Sequence, residues 1–214
     1  MTRHLAAVLL SLALAGCGAV QGVKSRLPPR EPRSGPEDGA YTEVRGAASR
    51  RARLYDGLVH RADLSGSWLS PEVREAGVRL VATWQDWGPA ELEAALAAGR
   101  AESAKGEEFM LSLYTADPKH NDLANPGSVW RILLDDGATQ VTATSVEIVP
   151  ADATTRQLFP YVGPFDTVYR VRVPWTGAPL AGRPFTLKLL GALGPLVLDF
   201  GPNGKRPERP HQAP

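Results

Sequence analysis

The residues best suited to chemistry lie in one short polar segment, residues 116–127. Two carboxylates and an imidazole, those of Asp117, Asp122 and His120, fall within six consecutive positions. Such groups could hold a cation if the segment curled and a distant side chain joined them. Aspartate and asparagine also favour turns, because their side chains bond the nearby backbone, and Pro118 fixes one backbone dihedral. We therefore interpret the segment as a turn, and we predict no metal site and no cofactor.

The same segment is where we expect the protein to contact a partner. It is twelve residues long and lies between two strongly apolar runs. Loops of that length without secondary structure often carry function, and a sheet beneath them holds them rigid. The side chains that we predict to bind the partner are those of Asp117, His120, Asn121 and Asp122.

A catalytic serine has weaker support in the sequence. It would require Ser65, Ser67 or Ser128 to meet His60 or His120 and a carboxylate. Any chain of this length contains such residues, and their spacing adds nothing. We therefore predict no catalytic residue.

Two adjacent carboxylates, Asp135 and Asp136, raise the possibility of an acid–base pair. Gly137 follows them directly, and Asp-Gly is a strong signal for a tight hairpin turn. The hairpin turn is the interpretation that we favour.

The single cysteine of the chain, Cys17, closes an apolar run over residues 5–14 that follows a basic start at Arg3. Ten residues rise only about 15 Å as a helix, half of the ~30 Å hydrocarbon core, so the run is an export signal and not a membrane span. Leu14-Ala15-Gly16-Cys17 resembles the lipobox of bacterial lipoproteins, in which the cysteine thiol is acylated before cleavage. The alternative is an ordinary secretory signal cut after Ala15.

The lipobox resemblance implies a location as well as a modification. Residues 1–16 would be removed, and acylated Cys17 would hold the protein on a lipid bilayer. The residue after Cys17 is Gly18, whereas an aspartate at that position would resemble an inner-membrane retention signal. The resemblance therefore implies the outer membrane, with the domain facing the periplasm. The expected partner is then another envelope protein, and the expected role is non-catalytic binding or structural support. The alternative is a membrane-tethered hydrolase or cation-dependent enzyme that uses His120 and nearby acids.

Composition narrows the classes of partner further. The chain has 24 basic and 23 acidic residues, and removing residues 1–16 takes away one arginine, so the mature protein is formally neutral. A neutral surface has no long-range field to attract nucleic acid, which we exclude as a partner.

Proline, glycine and mixed charge dominate residues 17–40, which we predict to be a disordered tether. Residues 201–214 have the same character and are predicted to be a disordered tail. Residues 41–200 remain for one domain.

Three helices are predicted in the first half of that domain, over about 41–55, 71–87 and 89–98. Ser70 is a good N-cap for the second, and Gly88-Pro89 separates it from the third as a helical pair. We expect Trp84, on the apolar stripe of the second helix, to be a core residue.

Three further expectations concern single side chains. The cluster Arg50, Arg51 and Arg53 is predicted to lie on a solvated face of the first helix. His60 is expected to be partly buried and hydrogen-bonded. Trp130 is expected to belong to the core.

Alternating apolar residues predict seven short strands, which cover about 57–63, 108–115, 128–135, 139–149, 166–174, 184–191 and 195–200. The predicted fold is mainly β with an α insertion (α+β). It is a seven-stranded immunoglobulin-like sandwich with the helical pair packed against it, although the Cys…Trp…Cys hallmark of antibody domains is absent.

The order of these elements resembles a set of uncharacterised bacterial envelope lipoproteins. The resemblance rests on a strand ending Ser112-Leu113-Tyr114-Thr115, on the loop residues Asp117-Pro118 and Asn121-Asp122-Leu123, and on a strand beginning Trp130-Arg131. It spans residues 50–200 and implies the fold, but it supplies no activity.

Replacing Cys17 by Ser should leave the protein without acyl chains and much less dependent on detergent. The reason is that durable anchoring needs two or more chains, each worth about 0.8 kcal/mol per buried methylene. Intact-mass measurement of wild-type and variant protein checks this, and a wild-type mass without acyl chains would contradict it.

Overall fold

The computed structural model describes residues 36–202 and 204–205. Within that part the fold is mixed α+β and mostly β. The helices are α1 (Pro36–Ala47), α2 (Pro71–Gln85), α3 (Pro89–Ser103) and α4 (Ala153–Leu158). The strands are β1 (Ser49–Asp56), β2 (Val59–Trp68), β3 (Glu107–Thr115), β4 (Trp130–Asp135), β5 (Gln140–Thr142), β6 (Ser145–Val149), β7 (Thr167–Val173), β8 (Thr186–Gly191) and β9 (Leu196–Asp199).

The strands form two antiparallel sheets that share one apolar core. The first sheet has the order β1-β2-β3-β7-β6 and the second has the order β5-β4-β8-β9. One cluster of buried side chains includes Leu64, Leu111 and Val171 from the first sheet together with Leu134 and Leu187 from the second. The inner faces of the two sheets therefore pack against each other.

Strand β3 shows how the sequence positions the core and the helices at once. Phe109, Leu111 and Leu113 point into the shared core, as the alternation of a strand requires. Met110 belongs to a second apolar cluster, and Ser112 donates to Asp166, both on the opposite face. Because both faces are covered, β3 is buried over almost its whole length.

The helices cover the outer face of the first sheet. Tyr41 on α1 packs with Val73 and Leu80 on α2, and its hydroxyl donates to the carbonyl oxygen of Leu158 over 3.0 Å. Ser70 caps α2 by accepting a hydrogen bond from the backbone N–H of Val73, as predicted from the sequence.

The two sheets are joined at both of their edges. At one edge the chain passes from the second sheet to the first within two residues. The N–H of Ala143 donates to the carbonyl oxygen of Ile132 on β4, and the N–H of Thr144 donates to that of Arg172 on β7. The predicted strand 139–149 is therefore two strands, β5 and β6, with a change of sheet between them. At the other edge β1 approaches the end of β9, and the N–H of Arg51 donates to the carbonyl oxygen of Lys205.

A buried carboxylate fixes α2 and α3 on the first sheet. Glu108 is almost fully buried, with its oxygens 2.8 Å from Arg172, 3.2 Å from Arg74 and 3.3 Å from Arg170. Arg172 also bonds Glu102 on α3 over 2.7 Å. The hydrogen bond with Glu108 raises the pKa of Arg172, so the guanidinium stays charged. Removing one partner from such a buried pair is costly.

The predicted helix over residues 41–55 is wrong in its second half. The helix ends at Ala47, and Ser49–Asp56 is the edge strand β1. Arg51 and Arg53 both pair with Asp63 on β2, so these cations bind across strands. Arg50 points the other way and is buried. The prediction of a solvated helical face for these arginines is therefore also wrong.

Other boundaries differ from the predicted ones. The structure has nine strands and four helices in its described part, against seven and three expected, because β1, the split of β5 from β6, and α4 were missed. Helix α1 begins at Pro36, inside the segment predicted as a tether. Residues 1–35, which include Cys17, and residues 206–214 lie outside the described part. No described helix has the length and apolar character needed to cross a membrane.

The two tryptophans predicted as core have different environments. Trp130 is 7% exposed, and its indole N–H donates to the carbonyl oxygen of His120 over 2.7 Å. Trp84 is 38% exposed, because the buried positions of α2 are Val73, Leu80 and Ala82, before its last turn. The prediction holds for Trp130 and is wrong for Trp84.

We predict that Trp130→Ala lowers the free energy of unfolding by about 3–5 kcal/mol, because it leaves a cavity in the shared core. Trp84→Ala is the matched control and should cost less than about 1 kcal/mol. Urea unfolding of both variants measures the difference, and equal losses would contradict the assigned burial.

Candidate functional site

The loop predicted to bind a partner is held down by its own hydrogen bonds. A 3-10 turn, Pro118–His120, opens it. The Asn121 amide then donates to the carbonyl oxygen of Leu113 over 2.8 Å, and the Tyr169 hydroxyl donates to Asn121 Oδ1 over 2.8 Å. Burial raises the pKa of the Tyr169 phenol, which therefore remains a neutral donor. Asn121 thus fastens the loop to β3 and β7.

The carboxylates of the loop are also used locally. Asp122 accepts from the Ser128 hydroxyl over 2.8 Å and from the backbone N–H of Val129 over 3.3 Å. Asp117 Oδ1 accepts from the N–H of Lys119 over 3.0 Å, as an aspartate at a turn does. Of the four candidates, only His120 has no side-chain hydrogen bond among the described residues. Contact with a partner remains a prediction.

His60 lies at the start of β2 in an aromatic stack. Its ring is 5.7 Å from that of Tyr114 and 5.0 Å from that of Tyr55, measured between centroids. Its Nε2 is buried and has no hydrogen-bond partner among the described residues. The prediction that this histidine is hydrogen-bonded is therefore wrong at Nε2.

Two of the three serines considered for catalysis, Ser67 and Ser128, have structural partners. Ser67 Oγ lies 2.6 Å from Ser49 Oγ and 2.9 Å from the Tyr161 hydroxyl in a buried chain of hydroxyls. Ser128 Oγ is the donor to Asp122. Neither serine oxygen is bonded to a histidine in the described residues.

Asp135 and Asp136 form the predicted hairpin turn between β4 and β5. Asp136 Oδ1 accepts from the N–H groups of Ala138 and Thr139. A hydrogen bond from Lys188, 2.6 Å away, holds the pKa of Asp135 below its usual range. In the described part of the chain, no three histidine, cysteine or acidic side chains are grouped so that they could hold a metal ion.

The larger of two cavities described in the domain is a groove of about 490 Å³. It lies between the second half of α1, the start of α2 and the segments 180–185 and 200–202. Its aromatic residues are Trp68, Phe185 and Phe200. The rings of Phe185 and Phe200 stack with centroids 4.6 Å apart, and Trp68 meets Phe185 edge-on at 5.2 Å. We call this cavity the aromatic groove.

Arg50 forms part of the wall of the aromatic groove. It is only 7% exposed, and its guanidinium carbon lies 5.3 Å from the centre of the Phe200 ring. Its Nε donates to the carbonyl oxygen of Asp199 over 2.6 Å, and its Nη1 donates to that of Ala47 over 2.7 Å. The guanidinium is thus saturated by backbone oxygens and ring contact, and it positions the wall.

The remaining polar side chains of the groove include Glu43, Ser70, Glu72 and Arg183. Ser70 is the N-cap of α2, and Glu72 lies in the first turn of that helix. Neither His60 nor His120 lines the groove. The arrangement is suited to binding a ligand with an apolar body and polar groups at its ends.

Sequence reasoning missed the aromatic groove altogether. Trp68, Phe185 and Phe200 fall at the ends of strands far apart in the chain, so no local pattern connects them. The sequence did hold one signal for the position of Arg50. Arg51, Arg53 and Tyr55 fall on alternate positions, as in a strand, and this alternation would place Arg50 on the opposite face.

Comparison with known proteins adds little to this description. No family model and no curated protein matches the chain. A crystal structure of a novel protein of unknown function from Burkholderia pseudomallei K96243 is similar at 13% identity, with a TM-score of 0.39. The match covers 78% of this chain and 84% of that one.

We predict that Asn121→Ala lowers the free energy of unfolding by about 2 kcal/mol, because the Tyr169 hydroxyl and the Leu113 carbonyl lose a partner. Lys119→Ala, at an exposed side chain of the same loop, should change it by less than about 0.5 kcal/mol. Thermal unfolding compares the two variants. If Asn121→Ala is as stable as Lys119→Ala, the bonds of Asn121 do not hold the loop.

Proposed function

We propose that the protein is an envelope lipoprotein, anchored through acylated Cys17 in the outer membrane, whose domain binds a ligand in the aromatic groove on the periplasmic side. The role is binding rather than catalysis. The observation that carries the proposal is the groove itself, with its stacked rings and exposed polar rim. The anchor is supported by the register of Leu14-Ala15-Gly16-Cys17 after an apolar run.

The ligand chemistry follows from what the groove offers. Phe185 and Phe200 are only 4% and 9% exposed, and with the partly buried Trp68 they form the apolar floor of the groove, which favours an apolar body. Arg50 is occupied by backbone carbonyls. Arg183 at the rim is exposed and lies 3.7 Å from the carboxylate of Asp136, so an anionic or carbonyl group of a ligand would share this cation with Asp136. Glu43 and Glu72 provide acceptors nearby. A ligand with an apolar body and both donor and acceptor ends fits this lining.

The architecture belongs to the same proposal at its finer level. We propose that the two sheets are arranged as in immunoglobulin-like sandwiches. The support is a pair of antiparallel sheets, of five and four strands, around one core. The nine strands of the described part exceed the seven of the simplest such domain, and the additions are at β1 and at the β5–β6 crossing.

No contact among the described residues supports the alternative, a tethered hydrolase or cation-dependent enzyme. Such an enzyme needs a histidine and a carboxylate beside a cavity. Neither His60 nor His120 lines the aromatic groove or the smaller cavity between α2 and α3. Recognition of an envelope protein by Asp117 and His120 is compatible with ligand binding, and it remains part of the proposal.

Filling the groove tests the proposal. Ala47 lies on α1 at the groove and is exposed, so Ala47→Trp puts an indole into the space a ligand would use. With anilinonaphthalene sulfonate as the probe, wild-type protein should show enhanced fluorescence. The variant should bind the dye at least about tenfold more weakly, because the apolar surface of the groove is covered.

Ala97→Trp is the matched control, since Ala97 is an exposed alanine on α3 outside the groove. It should bind the dye as the wild type does, and both variants should melt at the wild-type temperature. If Ala47→Trp and wild-type protein bind the dye equally, the groove is not the binding site.

A further inference from the structure

Exposed large apolar side chains gather at one end of the two sheets. The described residues include eight such side chains, and six are Tyr55, Leu58, Val59, Val129, Ile148 and Phe165. The other two, Trp84 and Val197, lie elsewhere, on α2 and within β9. We call the end where β1 turns into β2 the hairpin end.

Strand register places the six at this end. Tyr55 pairs with His60 next to the turn, and Leu58 and Val59 form its far side. On β7 the first residue, Thr167, pairs with Leu113 of β3, so β7 begins at this same end. Phe165 lies two residues before Thr167, and 81% of its surface is exposed.

The two remaining side chains follow from neighbouring strands. Ile148 is the next-to-last residue of β6, whose end is marked by the pairing of Val149 with Val168. Val129 comes just before Trp130, which pairs with Gly191 in the second sheet. That end of the second sheet adjoins the hairpin, because the side chain of Leu54 on β1 lies beside Gly194, in the turn between β8 and β9.

The hairpin projects beyond its neighbour and is held rigid. Strand β2 pairs with β3 only from Ala62 onward, so the turn has no strand beside it on that edge. Gly57 adopts a positive φ of 59°, which makes the tight turn, and Leu58 is fully exposed at its tip. The stack of Tyr55, His60 and Tyr114 rings supports the turn from below.

We propose that the hairpin end docks on the surface of a lipid bilayer, with Leu58, Val59 and Phe165 entering the interface. This inference rests on the proposed anchor at Cys17. The six side chains project from separate turns and strand ends and line neither described cavity, which suits a fluid apolar layer. Tyr55 offers a ring and a hydroxyl, the combination that prefers the boundary between headgroups and acyl chains.

The length of chain outside the described part permits this orientation. Eighteen residues lie between Cys17 and Pro36, and covalent geometry allows this segment to span at most about 60 Å. Strand β1 has eight residues and is about 26 Å long. The tether can therefore reach from the bilayer to Pro36 at either end of the domain.

The orientation also leaves the aromatic groove accessible. Trp68, Phe185 and Phe200 lie at the ends of β2, β8 and β9 opposite to the hairpin end. A domain docked by its hairpin end would therefore present the groove away from the membrane.

A dye at the hairpin tip tests the docking. Leu58→Cys in the acylated protein is labelled with a nitrobenzoxadiazole dye, and acylation blocks the thiol of Cys17. The protein is placed in vesicles of phosphatidylethanolamine and phosphatidylglycerol that contain brominated acyl chains. We expect the bromines to quench this dye at least about fivefold more than a dye at Ala138→Cys, because an interfacial side chain lies at acyl-chain depth. Ala138 is exposed in the β4–β5 turn, at the opposite end.

A second arm removes the anchor. The mature chain, residues 17–214 with Cys17→Ser, is sedimented with the same vesicles, with and without Leu58→Ser and Val59→Ser together. The double substitution should lower the bound fraction constant about tenfold, because each lost side chain removes burial free energy. Both side chains are exposed, so folding should be unaffected.

The outcomes separate the docking from the anchor. Acylated protein with equal quenching at residues 58 and 138 overturns the docking and leaves the anchor intact. A second outcome is a dye at residue 58 that is shielded from water without vesicles and is not quenched by bromine. A second copy or another protein then covers the hairpin end, and this result also overturns the docking. A mass without acyl chains, together with sedimentation that depends on Leu58, overturns the anchor and supports the docking.

Discussion

One buried guanidinium connects the parts of the structure that surround the aromatic groove. Arg50 donates to backbone oxygens of Ala47, Ser49, Asp199 and Gly201, which belong to the end of α1, to β1, and to the end of β9 and the turn after it. Burying a cation is costly unless its donors are satisfied, so these carbonyls must converge on it. The same convergence brings the two sheets together at this edge and sets Phe200 under the guanidinium. The wall of the aromatic groove is thus a consequence of satisfying one charge.

The two ends of the domain differ because its faces are covered unequally. Helices cover the outer face of the first sheet, where buried Glu108 requires arginines from α2 and β7. The helical layer adds residues of α1 and α2 to the groove end. At the hairpin end the strands finish in turns, and Leu58 and Phe165 are left exposed. One end can therefore form a concave site, and the other presents separate apolar projections.

Sequence patterns predict the parts of this fold that local rules govern. The alternation through Phe109, Leu111 and Leu113 identifies β3, and Ser70 identifies the start of α2. The prediction of one helix over 41–55 is wrong because it relied on spacing alone. Tyr41, Val44, Ala48 and Ala52 recur at helical intervals, but the chain changes from a helix to a strand at Ser49. Gly46, a poor helix former three residues before Ser49, is the one local signal for that change, and pairing with β2 overrides the helical pattern. The aromatic groove depends on three strand ends that meet only in the folded chain.

The polar side chains of the loop at residues 116–129 mostly contact the loop itself and the strands beneath it. Its polar composition suggested recognition, but Asn121 and Asp122 are used to fasten and shape it, while Leu123 enters the shared core. Such a loop closes the end of the core between the sheets at the hairpin end. If that end docks on a bilayer, His120 and Asp117 lie near the membrane surface. A protein that recognised them would then have to approach along the membrane, whereas a ligand would reach the aromatic groove from the side that faces away from the bilayer. The two surfaces would serve different partners without competing for one site.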